Sequence, residues 1–305
     1  MIKPGIKIGP TDWKSKLALS QAKYCEVWYH ANKPQQYSNL FAYLKKNHIN
    51  TGIHFHGELN NGFAPNIAYP NPKILKPTLD LIKKNIDIAA KNSFHYVNIH
   101  SGNRRVYKVD FKKPGFSLVA SIPKIDLRQA EQTQQKSLEI LHQYAQSKNI
   151  LLLTETIPSK DSPRWYDLKE RLKPINLHPV PVKSLIKMSQ KGFFITNDIS
   201  HTFCDESDQP LDYLWQQLLK KTKQLAPFTK LLHINTVMPP FNGTDTHHGI
   251  TKTNYKIKGI FPTHEKMIQL LKLFKNRNDV WAINEPRSNH IDNFFALKQL
   301  ISKLS

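Results

Sequence analysis

Asp198 and His201 stand three positions apart in "NDISHTF", and Asp245 and His247 stand two apart in "TDTHHGI". Carboxylates and imidazoles at such short spacings are divalent-metal ligands in type. In an extended segment the Asp245 and His247 side chains face the same way. The same residue types recur where short apolar runs end. His56 closes "TGIHFH", His100 closes "HYVNIH" and Glu155 closes "ILLLTE". Asp198 closes "FFITND", His233 lies in "KLLHIN" and Glu285 closes "VWAINE". A carboxylate at the end of a buried strand is costly unless something positive meets it. Singly, each residue has an ordinary role: a hydrogen-bonded core histidine, or a carboxylate capping the next helix. Six successive strand ends carrying such residues argue instead for one shared metal site, with Asp198 facing a divalent cation. His54 is the alternative to His56, two residues away on the same strand face, and His248 is the alternative to His247.

Convergence of these ends requires a particular scaffold. The β-type runs 5–9, 25–29, 51–56, 95–100, 150–155, 193–198, 230–235 and 280–285 alternate with amphipathic stretches. "PTLDLIKKNIDIAAKN", "QAEQTQQKSLEILHQYAQSKN" and "YLWQQLLKKTKQL" repeat apolar residues every three or four positions, as helices do. "LFAYLKKNH" and "HEKMIQLLKLFKN" read the same way. Parallel neighbours need a crossover, so this alternation predicts a parallel sheet. Eight units in 305 residues predict an α/β, (β/α)8 TIM barrel formed by a single domain, residues 1–305. A doubly wound open sheet competes, but no glycine-rich phosphate turn follows the first strand. In a barrel, loops after strands build the active face. The long segments 57–73, 101–126 and 236–262 all follow strands, which marks them as functional.

Bulk composition narrows the setting. No apolar run is long enough for a membrane span, and the start "MIKPGIKIGP" lacks an apolar signal region, so a cytoplasmic location is expected. Two cysteines, Cys25 and Cys204, make no disulfide framework; Cys204 reads as a free loop thiol. Lys and Arg number 44 against 23 Asp and Glu, a formal net charge of +21. Such a surplus attracts polyanions, although lysines in runs such as "KKTK" and "KLFK" read as a solvated helix face.

Laid out in order, these motifs resemble the endonuclease IV family within the xylose-isomerase-like TIM barrels. "NIHSG" resembles that family's strand-four His-x-Gly segment, "LLLTET" its strand-five segment and "NDISHTF" its Asp-x-x-His segment. "LLHIN", "TDTHHGI" and "INEP" resemble the segments that follow, so the likeness spans nearly the whole chain through short motifs. The resemblance implies up to three Zn2+ ions, with Mn2+ or another divalent metal as a substitute. It places His56, His100 and Glu155 on one ion, and Glu155, Asp198, His233 and Glu285 on a second. His201, Asp245 and His247 would hold the third. Relatives that isomerise or epimerise sugars share only the core of Glu155, Asp198, His233 and Glu285.

On this resemblance the expected activity is cleavage of DNA 5′ to abasic sites by metal-activated hydroxide, with Glu155 and Glu285 catalytic. Lys33, Gln35, Arg104, Arg105 and Lys252 are the expected phosphate contacts, and Asn60, Asn61 and Phe63 would fill the gap in the base stack. The other reading is a metal-dependent sugar isomerase or epimerase, in which the two glutamates move protons on a small sugar substrate. Trp13, Trp28, Phe63 and the "PRW" segment at 163–165 would then form a sugar wall. Several departures bear on the substrate. Thr236 and Thr246 replace an Asp and an Arg of the family, Asn284 precedes Glu285, and the first strand lacks a Gly-x-His opening.

Overall fold

Each of the eight apolar runs becomes a strand in the computed structural model, which describes residues 1–112, 115–164 and 173–304. The strands are β1 (Lys3–Ile8), β2 (Tyr24–His30), β3 (Asn50–His56), β4 (Tyr96–His100), β5 (Leu151–Glu155), β6 (Phe194–Asp198), β7 (Thr229–His233) and β8 (Trp281–Asn284). Every neighbouring pair is parallel and adjacent in sequence, and β8 returns to β1 through Lys3↔Trp281 to Ile6↔Asn284. The sheet is therefore closed, which excludes the open doubly wound alternative.

A helix follows each strand: α1 (Trp13–Ser20), α2 (Ser38–Lys46), α3 (Pro72–Lys91), α4 (Leu127–Ser147), α5 (Val182–Ser189), α6 (Leu211–Leu225), α7 (His264–Lys272) and α8 (His290–Ser302). The periodicity of the sequence marks five of these. It misses α1 and α5, which are only eight residues long, and α8, whose apolar residues surround the axis instead of forming one stripe. None of the described helices is long and apolar enough to cross a membrane.

Strand alternation divides the barrel interior into two layers. The lower layer is an apolar plug of Leu153, Leu231, Ile283, Tyr96 and Trp281, with Tyr24 and Phe194 packed against it. Gly5 and Gly52 make room for it. A Cβ on Gly52 would lie inside the Tyr96 ring, and one on Gly5 would strike Ile283 and the Tyr24 backbone. Two residues further along the same strands, the inward side chains become Lys7, Glu26, His54, Asn98, Glu155, Thr196 and His233. One step of the pleat thus converts a hydrophobic floor into a buried polar layer.

Two long loops cover the mouth. Residues after β3 join a hairpin formed by Tyr107–Asp110 and Gly115–Leu118, with Ala64 N donating to Tyr107 O at 2.8 Å and Val109 N to Gly62 O at 3.0 Å. The segment after β7 folds back on itself through bridges Thr236↔His248 and Val237↔Phe261. That fold-back carries Asp245 and His247 towards the end of β6.

Candidate metal centre

Asp198 shows how capping and ligation can share one carboxylate. Its Oδ1 accepts from His201 N at 2.9 Å and Ser200 Oγ at 2.7 Å, capping the short helix Ile199–Phe203. Its Oδ2 points the other way, 3.7 Å from His233 Nδ1 and within 3.4 Å of Asn235 Nδ2. One oxygen caps, and the other faces the barrel axis.

Four groups of donor atoms converge near the axis among the described residues. Glu155, Asp198, His233 and Glu285 form the central tetrad. His233 Nε2 lies 2.8 Å from Glu26 Oε2, and its Nδ1 faces three carboxylate oxygens: Glu155 Oε1 at 2.9 Å, Glu285 Oε2 at 3.3 Å and Asp198 Oδ2 at 3.7 Å. Burial opposes a charge on the ring, but Glu285, Glu155 and Glu26 outweigh it and hold its pKa well above the usual histidine value, so without a metal both nitrogens donate. Acceptors gathered in this way need a cation among them. A histidine held by a carboxylate through its far nitrogen is the usual support of a metal ligand.

His201, Asp245 and His247 form a second group with the same logic. His201 Nδ1 lies 2.8 Å from the Thr156 carbonyl and donates to it, and its Nε2 lies 3.1 Å from Asp245 Oδ2, where a bound ion would displace the proton between them. His247 Nε2 lies 3.2 Å from the same oxygen. His247 sits in the left-handed region at φ 46°, and its N–H donates to Asp245 Oδ1 at 2.8 Å, holding the strained turn in place. The donor atoms of both groups fit a divalent ion bound by N and O ligands. Burial pushes the carboxyl of Asp198 up, whereas Glu155 and Glu285 lie well below the usual range. Burial alone would raise those two as well, but His233 and His54 beside Glu155, and His233 and Lys7 beside Glu285, outweigh it.

The third group corrects the expected register on β3. The atoms that meet His100 and Glu155 belong to His54, not His56. His54 Nε2 is 3.2 Å from Glu155 Oε2, and His100 Nε2 is 4.0 Å from it. His56 sits one pleat higher, where its ring packs on Trp28 at 4.8 Å and on His54 at 4.4 Å. The fourth group joins Glu26, His54, His233 and Glu285, and Lys7 lies in its midst. Lys7 Nζ contacts Glu26 Oε2 at 2.7 Å, His54 Nδ1 at 2.5 Å and the Glu285 carboxylate. Neither Lys7 nor Glu26 is among the residues expected from the sequence. The available signal is a charged residue inside an apolar strand, in "GIKIG" and "CEVWY".

The expected substrate contacts are less uniform. Lys33 and Gln35 follow β2, Asn60 and Asn61 follow β3, and Lys252 opens the short helix Lys252–Tyr255. All stand at the mouth end of the barrel, and only Lys33 is part-buried. Arg104 and Arg105 are half-buried at the foot of the hairpin, where Arg104 N donates to His178 O at 2.8 Å. Phe63 does not project. It packs against the cluster of Leu59, Tyr69, Ile74 and Val106, held by pairing with Lys108, so it is a packing residue. Trp13 is buried in the outer core, its ring 4.8 Å from that of Tyr43. Trp28 does line the mouth, 6.1 Å from Phe111 of the loop after β4. Trp165 of the "PRW" segment lies outside the described residues. Cys204 is a free thiol in the turn after the helix Ile199–Phe203, but it is buried, and its Sγ donates to Thr244 O at 3.3 Å. Lys221 of "KKTK" is likewise not solvated; it is buried on Asp205 at 2.5 Å and Glu206 at 2.9 Å.

No family profile and no curated protein matches the sequence. Solved structures do match. A D-tagatose 3-epimerase-like protein aligns with TM-score 0.64 at 14% identity, over 98% of this chain and 97% of that one. The fold is the closed (β/α)8 barrel of that structure. An L-ribulose 3-epimerase aligns on it with TM-score 0.64 at 12% identity, over 100% of this chain and 96% of the other. Endonuclease IV from Thermus thermophilus aligns with TM-score 0.57 at 13% identity, over 98% of both chains. Structures of this fold thus carry names from both chemistries read from the sequence.

Proposed function

We propose that this chain is a metal-dependent isomerase or epimerase of a small sugar. The observation that carries the reading is the enclosed tetrad in which Glu155 and Glu285, from strands three apart around the barrel, meet at one histidine nitrogen, His233 Nδ1. A divalent ion held by Glu155, Asp198, His233 and Glu285 would supply positive charge beside a substrate carbonyl and acidify the adjacent C–H. Glu155 and Glu285 lie below the usual carboxylate range, so both are ionised, the state in which a carboxylate can accept a proton. They reach the axis from different directions, as inversion at a carbon requires. Asn98 steadies Glu155, donating to its Oε2 at 2.6 Å while its own Oδ1 accepts from Thr196 at 2.7 Å. Trp28, His56 and Phe111 line the β2–β3 side of the mouth, a ring surface suited to the apolar face of a sugar.

Several similar structures carry names that fit this reading: D-tagatose, D-psicose, L-ribulose and D-allulose 3-epimerases. Incubating the metal-loaded protein with a panel of ketoses in D2O tests it. Deuterium entering the carbon next to the carbonyl, with appearance of the epimer or aldose, supports the reading. Absence of exchange across the panel, with metal bound, removes it.

A second reading, phosphodiester cleavage beside abasic sites in DNA, is favoured by the His201–Asp245–His247 group, which a sugar epimerase of this fold does not need. Lys33, Gln35, Asn60, Asn61, Arg104, Arg105 and Lys252 would then meet phosphates. Duplex DNA carrying one abasic site decides it: strand scission by the loaded protein, with affinity that falls steeply as salt is added, would favour the nuclease.

A further inference from the structure

Lys7 stands where a metal ion would otherwise be expected. Its ammonium contacts Glu26 Oε2, His54 Nδ1 and the Glu285 carboxylate, filling the group that these residues form with His233. An ammonium has only hydrogens to give, so His54 Nδ1 must accept, at 2.5 Å. A neutral imidazole has one N–H, which is then on Nε2. This is the atom that His54 offers towards His100 and Glu155, and it faces Glu155 Oε2 at 3.2 Å. His54 could free Nε2 for an ion only by placing its proton on Nδ1, against the Lys7 ammonium.

His201 and His233 show the opposite arrangement. Each can keep a proton on one ring nitrogen, donated to the Thr156 carbonyl and to Glu26 respectively, while the other nitrogen faces carboxylates and can give up its proton to an ion. Two histidines can thus reach a ligating tautomer, and the third is barred from it by a lysine.

We propose that Lys7 is a built-in cation that replaces one metal and, through His54, closes the His54–His100–Glu155 group to another. The wild-type chain then holds ions at the central tetrad and at His201–Asp245–His247, and not at the third group that three-ion binding would use. This rests on the metal-binding part of the proposed function and not on its substrate. Removing the ammonium opens the closed group, because His54 can then move its proton to Nδ1 and present Nε2.

The test is a count of zinc retained by the full-length protein after metal stripping, reloading with Zn2+ and gel filtration. Two ions are expected for the wild type and three for Lys7→Met, and the double variant Lys7→Met/His100→Ala should return to two. Lys7→Gln repeats the comparison with a polar side chain in case Met disturbs the barrel. Three ions in the wild type, or no gain in either Lys7 variant, overturns the proposal. Zero ions in every protein removes the metal reading itself, so the two failures are distinguishable. Nitrogen-15 spectra of the histidines in the metal-free wild type give a check without any variant. His54 protonated on Nε2 is the expected result, and His54 protonated on Nδ1 contradicts it.

Discussion

The floor of the barrel and the layer above it are built by the same strands, two residues apart, yet they obey opposite rules. Leu153, Leu231 and Ile283 in the floor are fully buried and need nothing beyond each other. Each such side chain contributes about 1.5–3 kcal/mol by leaving water. Glu26, Glu155, Asp198 and His233 above them are just as buried, but their carboxylates repel one another and lose hydration. Lys7 and three histidines offset part of that cost. The floor holds the barrel together, and the upper layer is a deficit of positive charge for which the floor provides a rigid frame.

Substitutions should separate the two layers, beginning with the largest effect. Asp198→Ala should abolish ion binding at the tetrad together with any turnover. In the metal-free protein the same change removes a buried like charge but also the cap on Ile199–Phe203, so its stability should move by less than about 2 kcal/mol. Calorimetry with and without metal reads both. Leu231→Ala in the floor should do the reverse, costing about 2–5 kcal/mol of stability through the cavity it leaves, with the retained ion count unchanged. A floor variant that lost its metal while still folded would break the comparison.

Glu26→Gln sharpens it. Glu26 touches no proposed ion but holds His233 through Nε2, so metal affinity at the tetrad should fall about 10–100-fold with the barrel intact, as isothermal titration would show. The last effect appears only in acid and concerns a histidine outside both layers. His142 on α4 is buried against Phe193, and burial lowers its pKa to about 4. The folded state therefore resists a proton that the unfolded chain takes up below about 6.5. The associated stability is complete above that value and declines as the pH falls towards 4, by about 1.4 kcal/mol per pH unit for one proton. His142→Leu should flatten that part of the urea-denaturation profile.

Strand ends are legible because a carboxylate or imidazole after several apolar residues stands out. Glu155, Asp198, His233 and Glu285 stand out in that way, and the structure gathers all four. Lys7, Glu26 and His54 do not, for a geometric reason. Strands in a closed barrel are tilted and staggered, so one height is reached at a different position along each strand. The polar layer crosses β5 at its last residue, Glu155, but crosses β2 at Glu26, four residues before the strand ends at His30. On β3 it crosses at His54, two before His56. Searching only strand ends therefore selects His56 and misses the lysine. Phe63 and Trp13 are misread because composition does not reveal which loop aromatics a neighbouring hairpin or helix will cover.

The most direct measurement of the central claim is an anomalous-difference map from crystals of the full chain grown with Mn2+ or Zn2+. A peak about 2.0–2.2 Å from oxygens of Glu155, Asp198 and Glu285 and from His233 Nδ1 is the predicted result. A folded barrel with no peak among those four residues, at saturating metal, would contradict the account.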